Sequence, residues 1–248
     1  MRALLNNRFA PLTLQMGFIE GKFDKVAHTY LEWRGRLATQ TGGEVKSEFI
    51  YMPLPQALMK LQPLTTPPSR VLFIETKSQW TAYFDNGLRN SDPESPIGYL
   101  STLLSCKSLT IHCSPDRSET KRPDMLRVYG IVAFRLFVGH STEWLNQERA
   151  IVAMNDGGRW MFAAEGKMQS FEEPEKYKAR KIRDRFTDEM LERYCFALGV
   201  KSFDEGFYGK RALVAELPNQ LAPGSPVMSL EQARKHISLD KVGTGWLN

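Results

Sequence analysis

The chain has 248 residues, of which 42% are hydrophobic and 25% are charged. These proportions are those of a globular protein, so they argue against disorder over most of the chain, and the length suits one large domain or two small ones. The formal net charge of +5 permits an acidic partner without requiring one.

Three cysteines, Cys106, Cys113 and Cys195, occur without any CxxC pair. An odd, low count argues against a disulfide framework and against a zinc site, so we expect free thiols in a reducing compartment. Residues 1–8 lack the apolar stretch of a secretory signal, and no window approaches the 18 apolar residues of a membrane span. We therefore predict a cytoplasmic protein without a membrane span, a metal or a cofactor.

The first half of the chain predicts short strands and helices in alternation. Apolar residues recur at helical spacing after Phe23, and strand-like segments flank this stretch. The loop over 63–69 is rich in proline, but too few elements precede it to form a core, so we place no domain boundary there. In chain order we predict a strand over 12–19, a helix over 23–37, a strand over 44–51, a short helix over 56–61, the loop, a hairpin of strands over 70–74 and 80–84, a helix over 97–104 capped by Ser95, and a strand over 109–113.

The second half contains the most clearly patterned strands. Apolar residues occur at both odd and even positions of 126–139, so both sides of this segment are apolar. This pattern predicts a central strand buried on both faces. The turn over 155–158, Asn-Asp-Gly-Gly, tolerates positive φ angles and predicts a tight hairpin between strands over 149–154 and 159–165. We also predict an exposed loop over 114–124, a short strand or helix over 212–217, a final helix beginning at Ser229 with a capping box to Gln232, and a tail over 242–248.

A long helix is predicted over about 174–198. On a helical wheel, six apolar residues fall on one face: Ala179, Ile182, Phe186, Met190, Tyr194 and Ala197. Glu172, Glu173 and Glu175 stand at the N-terminal end, where the helix dipole favours negative charge, and Gly199 is a suitable stop.

These elements predict a single α+β domain over 1–248. We expect a largely antiparallel, twisted sheet with several helices packed on it, and the long helix near 174–198 covering one face. The strands that begin at Trp80 and Trp160 have similar amino-acid sequences. This similarity is consistent either with a duplicated hairpin or with coincidence.

The catalytic candidates are few. None of the four histidines lies in a recognised catalytic or metal-binding motif. Asp85 and Asp156, each predicted at a hairpin tip, would form a carboxylate pair if the two tips met, although aspartates at turns serve backbone geometry far more often. One alternative function is therefore an enzyme or small-ligand-binding protein with a pocket near the strands of Trp80 and Trp160.

Basic residues are concentrated over 176–185, on the predicted long helix. A nucleic acid would bind them through its phosphates, which gives a second alternative function. Acidic residues follow in alternation, however, so the surface is mixed, as on an ordinary solvated helix face, and among partners it favours a protein over a nucleic acid. The candidate partner-binding residues are Lys178, Lys181 and Arg185 of this stretch, together with Asp156 and Arg159 of the hairpin turn.

Three segments, 80–87, 155–160 and 203–208, give the chain a weak resemblance to uncharacterised cytosolic bacterial proteins. Those proteins are similar in size and α+β make-up to immunity proteins that neutralise polymorphic or type VI secreted toxins. The resemblance covers scattered segments and transfers no functional residue. It implies a non-enzymatic protein-binding protein whose partner is a cognate toxin and whose mechanism is steric occlusion of the toxin's active site.

Overall fold

A nine-stranded antiparallel sheet forms the centre of the protein. The computed structural model describes residues 2–88, 93–116, 128–140, 146–218, 221–237 and 239. The strand order is β2-β10-β4-β5-β1-β6-β7-β8-β9, and every neighbouring pair is antiparallel. A separate two-stranded ladder joins β3 to β11.

The elements have the following bounds. The strands are β1 (Gln15–Glu20), β2 (Lys46–Tyr51), β3 (Leu64–Thr65), β4 (Arg70–Thr76), β5 (Trp80–Asp85), β6 (Lys107–Ser114), β7 (Ile131–Val138), β8 (Gln147–Asn155), β9 (Trp160–Gly166), β10 (Tyr208–Glu216) and β11 (Val227–Met228). The α-helices are α1 (Phe23–Gln40), α2 (Leu54–Met59), α3 (Glu94–Leu104), α4 (Asp188–Ala197) and α5 (Leu230–His236). Short 3-10 helices cover Leu4–Asn7, Lys176–Lys178, Ile182–Asp184 and Glu205–Phe207.

The central strands of the sheet are buried on both faces. Successive side chains of a strand point to opposite faces, so these strands contribute to two cores. The front face packs against α1 and α3, through residues such as Ile19, Phe73 and Leu213. The back face packs against α2 and α4 in a larger core that includes Phe84 and Phe134.

The predicted α+β class, with a largely antiparallel sheet and several packed helices, is confirmed. Both predicted hairpins form, as β4–β5 and β8–β9, and Gly157 in the second turn has a φ angle of 101°. Strand β7 is buried at six of its eight positions, as a central strand requires. The capping box that begins α5 at Ser229 is also present, with the hydroxyl bonded to the Gln232 amide.

Strand β10 is the element for which the sequence prediction and the structure differ most in type and bounds. Its segment was predicted as a short strand or helix over 212–217, but it forms a nine-residue strand between β2 and β4. It pairs with strands more than 130 residues earlier in the chain, as in the pair Leu213–Phe73. Pairing over such a sequence distance leaves no local signal.

The helix predicted over about 174–198 is an α-helix only over Asp188–Ala197, so this part of the prediction is corrected in its N-terminal half. The preceding residues form two 3-10 helices separated by extended residues, with Ala179 at φ −54°, ψ 140° and Lys181 at φ −84°, ψ 122°. We call residues 167–187 the crossing segment, because they pass over the back of β8 and β9 before α4 begins.

Packing explains why the crossing segment is not helical. Its extended residues let Tyr177 lie on Phe162 of β9, with ring centroids 5.2 Å apart, while Phe186 is fully buried beside Tyr194 of α4. Thr187 then caps α4, since its hydroxyl accepts a hydrogen bond from the Met190 amide at 3.4 Å. Aromatic burial and a good N-cap outweigh the helical wheel pattern.

Two other predictions fall on residues outside the described part of the chain. Most of the exposed loop predicted over 114–124 lies within 117–127. The tail predicted over 242–248 lies within 240–248.

Gly139, just after β7, marks a close approach between the sheet and α3. A Cβ atom at this position would lie 1.8 Å from the carbonyl oxygen of Ser101, which is a backbone atom of α3. We expect Gly139→Ala to lower the free energy of unfolding by about 1–3 kcal/mol or more through overpacking. Gly35→Ala is the matched control, because Gly35 lies inside α1 with no atom near its Cβ position, and it is expected to stabilise by about 0.5–1 kcal/mol. Urea denaturation measures both, and equal effects would contradict the packing of α3 on Gly139.

Candidate partner-binding surface

The outer side of α1 and α3 carries a continuous row of large apolar side chains. Leu37 of α1 and Tyr99 and Leu103 of α3 are 40%, 43% and 37% exposed, and Trp33 of α1 lies half-buried between them. Each helix contributes a pair at i and i+4, which places both members on one side of that helix. We call these four residues the aromatic ridge.

Contacts between aromatic rings hold the ridge in place. The rings of Trp33 and Tyr99 are 4.6 Å apart and join the two helices, and Trp33 also makes an edge contact with the buried ring of Tyr30 at 5.8 Å. The guanidinium of Arg34 lies 5.3 Å from the Trp33 ring centre. Rigid aromatic side chains beside an arginine are the composition that binding hot spots favour.

A second apolar patch lies at the edge of the sheet, beside the N-terminal half of α1. Phe49 and Tyr51 of β2 are 52% and 72% exposed and point to the front face. Phe49 contacts Phe23 and His28 of α1, at ring distances of 6.2 Å and 5.9 Å. The patch therefore adjoins α1, the helix that also carries half of the ridge.

The main chain of β2 adds unpaired hydrogen-bonding groups to this patch. The amide of Met52 donates to Lys210 of β10 at 2.9 Å, and alternate residues of a strand point their polar groups to the same side. The groups of Ser47, Phe49 and Tyr51 therefore point away from β10. No strand in the described ranges pairs with β2 on that side, since β2 ends the sheet.

Together the ridge and the β2 patch form the front surface of the protein. Eleven large hydrophobic side chains are exposed in the described part of the chain, and five of them belong to this surface. His28 and Leu37 are nine residues apart on α1, a distance of about 13 Å along the helix. The front surface therefore extends at least this far along α1.

The sequence predicted partner-binding residues elsewhere. Asp156 and Arg159 lie at the tip of the β8–β9 hairpin, at the opposite end of the sheet from β2. Arg159 is exposed and pairs with Asp156 at 3.7 Å, while the Asp156 carboxylate accepts a hydrogen bond from the Arg159 amide at 3.2 Å. The contacts between Asp156 and Arg159 stabilise the turn that joins β8 to β9. The side of this pair that faces away from the turn is exposed to solvent.

The other three predicted residues lie on the crossing segment, at the back of the sheet. Lys178 and Lys181 are exposed. Arg185 is half-buried, donates to the carbonyl of Ala179 at 2.9 Å, and lies 5.9 Å from the ring of Phe162. Because these basic residues follow an irregular backbone, they do not form the basic helical face on which the nucleic-acid alternative was based.

The five residues predicted to bind a partner therefore lie at the β9 end of the sheet. The apolar front surface lies on α1, α3 and β2. The ridge was missed because the apolar residues that recur after Phe23 were interpreted only as the signal of a helix. A signal was present: with Phe23, Val26 and Tyr30 already facing the core, the apolar face of α1 is wider than one sheet contact needs.

The carboxylate pair considered for catalysis does not form. Asp85 is buried at the end of β5, rather than at a hairpin tip, and binds the Gly87 amide and the Tyr83 hydroxyl. Asp156 directly follows β8, which is four strands away, or about 19 Å at ordinary strand spacing.

The two tryptophans of the proposed pocket are also far apart. Trp80 is buried in the back core and donates from its indole nitrogen to the carbonyl of Leu198 at 2.8 Å. Trp160 is half-buried and begins β9, five strands from β5, where its ring packs against Gly130. The solid packing around Trp80 counts against a pocket beneath that strand.

Three further observations concern the cysteines, possible metal ligands and the apolar character of the helices. All three cysteines are free, and Cys113 and Cys195 are buried. No group of three metal-ligating side chains comes together within the residues that the structure describes. None of the described helices is long and apolar enough to span a membrane.

Compared with known proteins, the chain matches no family model, no curated sequence and no solved structure. A function for this chain must therefore be argued from its own residues.

Proposed function

We propose that this protein acts by binding another protein, without catalysis, and that the front surface is the contact. The observation that carries the proposal is the aromatic ridge, in which Trp33, Leu37, Tyr99 and Leu103 leave apolar area in water across two packed helices. Exposing apolar area of this kind to water is unfavourable and brings a monomer no benefit, whereas an interface buries that area.

The composition of the ridge supports a specific rather than a general contact. Tryptophan and tyrosine are among the residues that dominate binding energy at interfaces, and the rings of Trp33 and Tyr99 meet on this surface, 4.6 Å apart. These two rings already contact each other, and the Trp33 ring also contacts the buried ring of Tyr30, so binding orders few additional side chains.

The more specific proposal is bacterial toxin immunity, as the sequence resemblance implies. In this proposal the partner is a cognate toxin in the cytoplasm, and the protein blocks it sterically by covering its active site. The three free cysteines are consistent with a reducing compartment. The five residues predicted from sequence, Asp156, Arg159, Lys178, Lys181 and Arg185, remain the alternative contact on the same molecule.

A growth assay tests both levels of the proposal. The product of the neighbouring gene is expressed alone and with this protein, and we expect growth to be lost in the first case and restored in the second. Introducing Leu37→Asp together with Leu103→Asp is expected to weaken binding by about 2 kcal/mol, roughly 30-fold in Kd, and to reduce rescue. Both side chains are exposed, so the variant is expected to fold.

The controls separate the surfaces. Met168→Asp alters a side chain that is 53% exposed on the crossing segment, away from the front surface, and should rescue growth like the wild type. If Lys178→Glu with Lys181→Glu abolishes rescue while the ridge variant retains it, the contact lies at the β9 end. If the wild-type protein does not restore growth, the immunity proposal fails.

A further inference from the structure

Strand β2 leaves main-chain hydrogen-bonding groups unused at the end of the sheet. Within the part of the chain that the structure describes, β2 pairs with β10 alone, and the main-chain groups of Ser47, Phe49 and Tyr51 point away from β10. Five of the six residues of β2 are exposed. An edge of this kind fits an extended chain, because another strand presents donors and acceptors at the same spacing.

The side chains of this edge do not protect it against pairing. Edge strands commonly avoid pairing by placing charged residues or proline along the edge. The three residues whose main-chain groups point outward are uncharged, and two of them are Phe49 and Tyr51, which are 52% and 72% exposed. The charged residues of the strand, Lys46 and Glu48, alternate with these positions and therefore lie on the back face.

The geometry of an antiparallel pair lets β2 pair with a second copy of itself. Two identical antiparallel strands are related by a two-fold axis perpendicular to the sheet. Residues whose groups point outward must lie opposite each other to exchange hydrogen bonds, so this axis passes through a residue of the strand rather than between two residues. The central candidates are Glu48, Phe49 and Ile50.

Charge selects among these three registers. With the axis at Glu48, the two carboxylates would lie directly opposite each other, and with the axis at Phe49 they would be diagonal neighbours at about 7–8 Å. Both arrangements are unfavourable, because like charges on facing strands repel. With the axis at Ile50, the two Glu48 residues are about 13 Å apart along the strand.

The same register brings the aromatic side chains together. With the axis at Ile50, Phe49 of each copy lies opposite Tyr51 of the other, and all four rings lie on the front face. Aromatic pairs across neighbouring strands stabilise a sheet beyond the area that they bury. The register that separates the carboxylates is therefore also the one that pairs the exposed rings.

We propose that the protein forms a homodimer in which the two β2 strands pair antiparallel about Ile50. The two nine-stranded sheets then form one continuous sheet, and both front faces lie on the same side of it because the axis is perpendicular to the sheet. The β2 patch is covered by the second copy. The aromatic ridge lies on the α3 side of α1, through the contact of Trp33 with Tyr99, so the dimer presents two ridges to a partner.

The small size of the contact sets its strength. A fully buried aromatic side chain removes about 150–250 Å² from water. From the exposed fractions of Phe49 and Tyr51, the four rings of the dimer bury on the order of 500 Å². Interfaces at the low end of the size range are weak, so we expect a dissociation constant in the micromolar range.

Sedimentation equilibrium on the full chain tests the proposal. The mass should rise with concentration from that of one chain to that of two, and Tm should rise with concentration as well. Tyr51→Glu removes two of the four rings and places two carboxylates diagonally across the axis, so it is expected to weaken the dimer by about tenfold or more. The monomer should still fold, because Tyr51 is exposed and Lys210, which lies 5.9 Å from its ring, is a suitable neighbour for a carboxylate.

Two controls match this variant. Phe196→Glu changes an aromatic residue of α4 that is 62% exposed and also has a lysine, Lys201, 6.0 Å from its ring. It should leave the dimer unchanged. The ridge variant, Leu37→Asp with Leu103→Asp, should also dimerise like the wild type, although it is expected to reduce rescue in the growth assay.

Hydrogen exchange at single amides identifies the edge. The amides of Phe49 and Tyr51 should be protected at concentrations where the wild type is dimeric, and the Phe49 amide should exchange rapidly in Tyr51→Glu. A wild-type protein that stays monomeric up to about 1 mM overturns the proposal, and it leaves the function proposed for the ridge untouched. A dimer that survives Tyr51→Glu, that dissociates in the ridge variant, or that leaves the Phe49 amide unprotected forms through another surface and overturns the proposal as well.

Discussion

Replacing Glu172 with alanine is expected to lower the free energy of unfolding by about 3–5 kcal/mol, because it leaves a buried arginine without its counter-ion. The side chains of Arg149 and Glu172 are 4% and 0% exposed. They meet in a two-pronged pair, with Nε donating to Oε1 at 2.9 Å and Nη2 donating to Oε2 at 2.7 Å. A pair of this geometry replaces much of the hydration that both ions lose.

Other groups complete the network around Glu172. Its carboxylate also accepts hydrogen bonds from the Tyr177 hydroxyl at 2.8 Å and from the Gln169 amide at 2.7 Å. The remaining arm of Arg149 donates to the carbonyl of Gly166 at 3.0 Å. The network therefore attaches the crossing segment to β8, and its loss is expected to release this segment together with the start of α4.

Chemical denaturation of three variants measures the effect. Glu173→Ala removes the neighbouring carboxylate, whose partner Arg193 is 54% exposed, and should cost about 0–1 kcal/mol. Replacing Arg149 and Glu172 together with methionine removes both buried charges, and should cost much less than Glu172→Ala alone. Equal losses in Glu172→Ala and Glu173→Ala would contradict a buried pair.

The same residue shows where sequence reasoning ends. Glu172, Glu173 and Glu175 were interpreted as acidic residues that favour the start of a helix. In the folded protein Glu172 instead belongs to a buried pair with Arg149, and Glu173 pairs with Arg193. Charge patterns along one segment reveal neighbours in sequence, whereas a partner on another strand depends on the tertiary fold.

Hairpins and amphipathic helices were predictable because their signals are local. The turn at 155–158, the apolar run of β7 and the capping box of α5 each lie within one short window. The order of strands is different, since β10 joins β2 to β4 across long sequence distances. Neither neighbour of β10 can be read from its own residues.

Asn86 illustrates the same limit at a single position. The stretch Asp85-Asn86-Gly87 was predicted as a turn, which such residues favour. In the structure Asn86 is fully buried, and its side chain accepts from the amides of Ser69 and Arg70 at 2.8 and 2.9 Å. It connects the proline-rich loop to the end of β5, a role that composition does not indicate.

The candidate surface was only partly predictable. The exposed charges of Lys178 and Lys181 follow from the sequence, because lysines are seldom buried. The ridge depends on two helices, α1 and α3, that are separated by four strands in the chain but meet through Trp33 and Tyr99. One signal within α1 was available, because the apolar face of this helix is wider than one sheet contact needs.

Stability is expected to fall by about 3 kcal/mol between pH 7 and pH 4 because of His112 alone. Burial, and next the charge of Arg135, lowers the pKa of this imidazole from 6.5 to about 4. As the pH falls below 6.5, the unfolded chain takes up a proton that the folded protein does not. The free energy of unfolding therefore decreases until the folded form is protonated near pH 4. At about 1.4 kcal/mol per pKa unit, the difference gives the stated magnitude.

Comparison with His112→Gln isolates this contribution from the carboxylates, which titrate in both proteins. Urea denaturation at several pH values should give two curves that run parallel above pH 6.5 and diverge below it, with the wild type losing more stability. A chemical-shift titration of the His112 ring by NMR should show a midpoint near 4 in the folded protein. Parallel curves down to pH 4, or a midpoint near 6.5, would mean that solvent reaches the imidazole, and His112 would then not be buried as the structure has it.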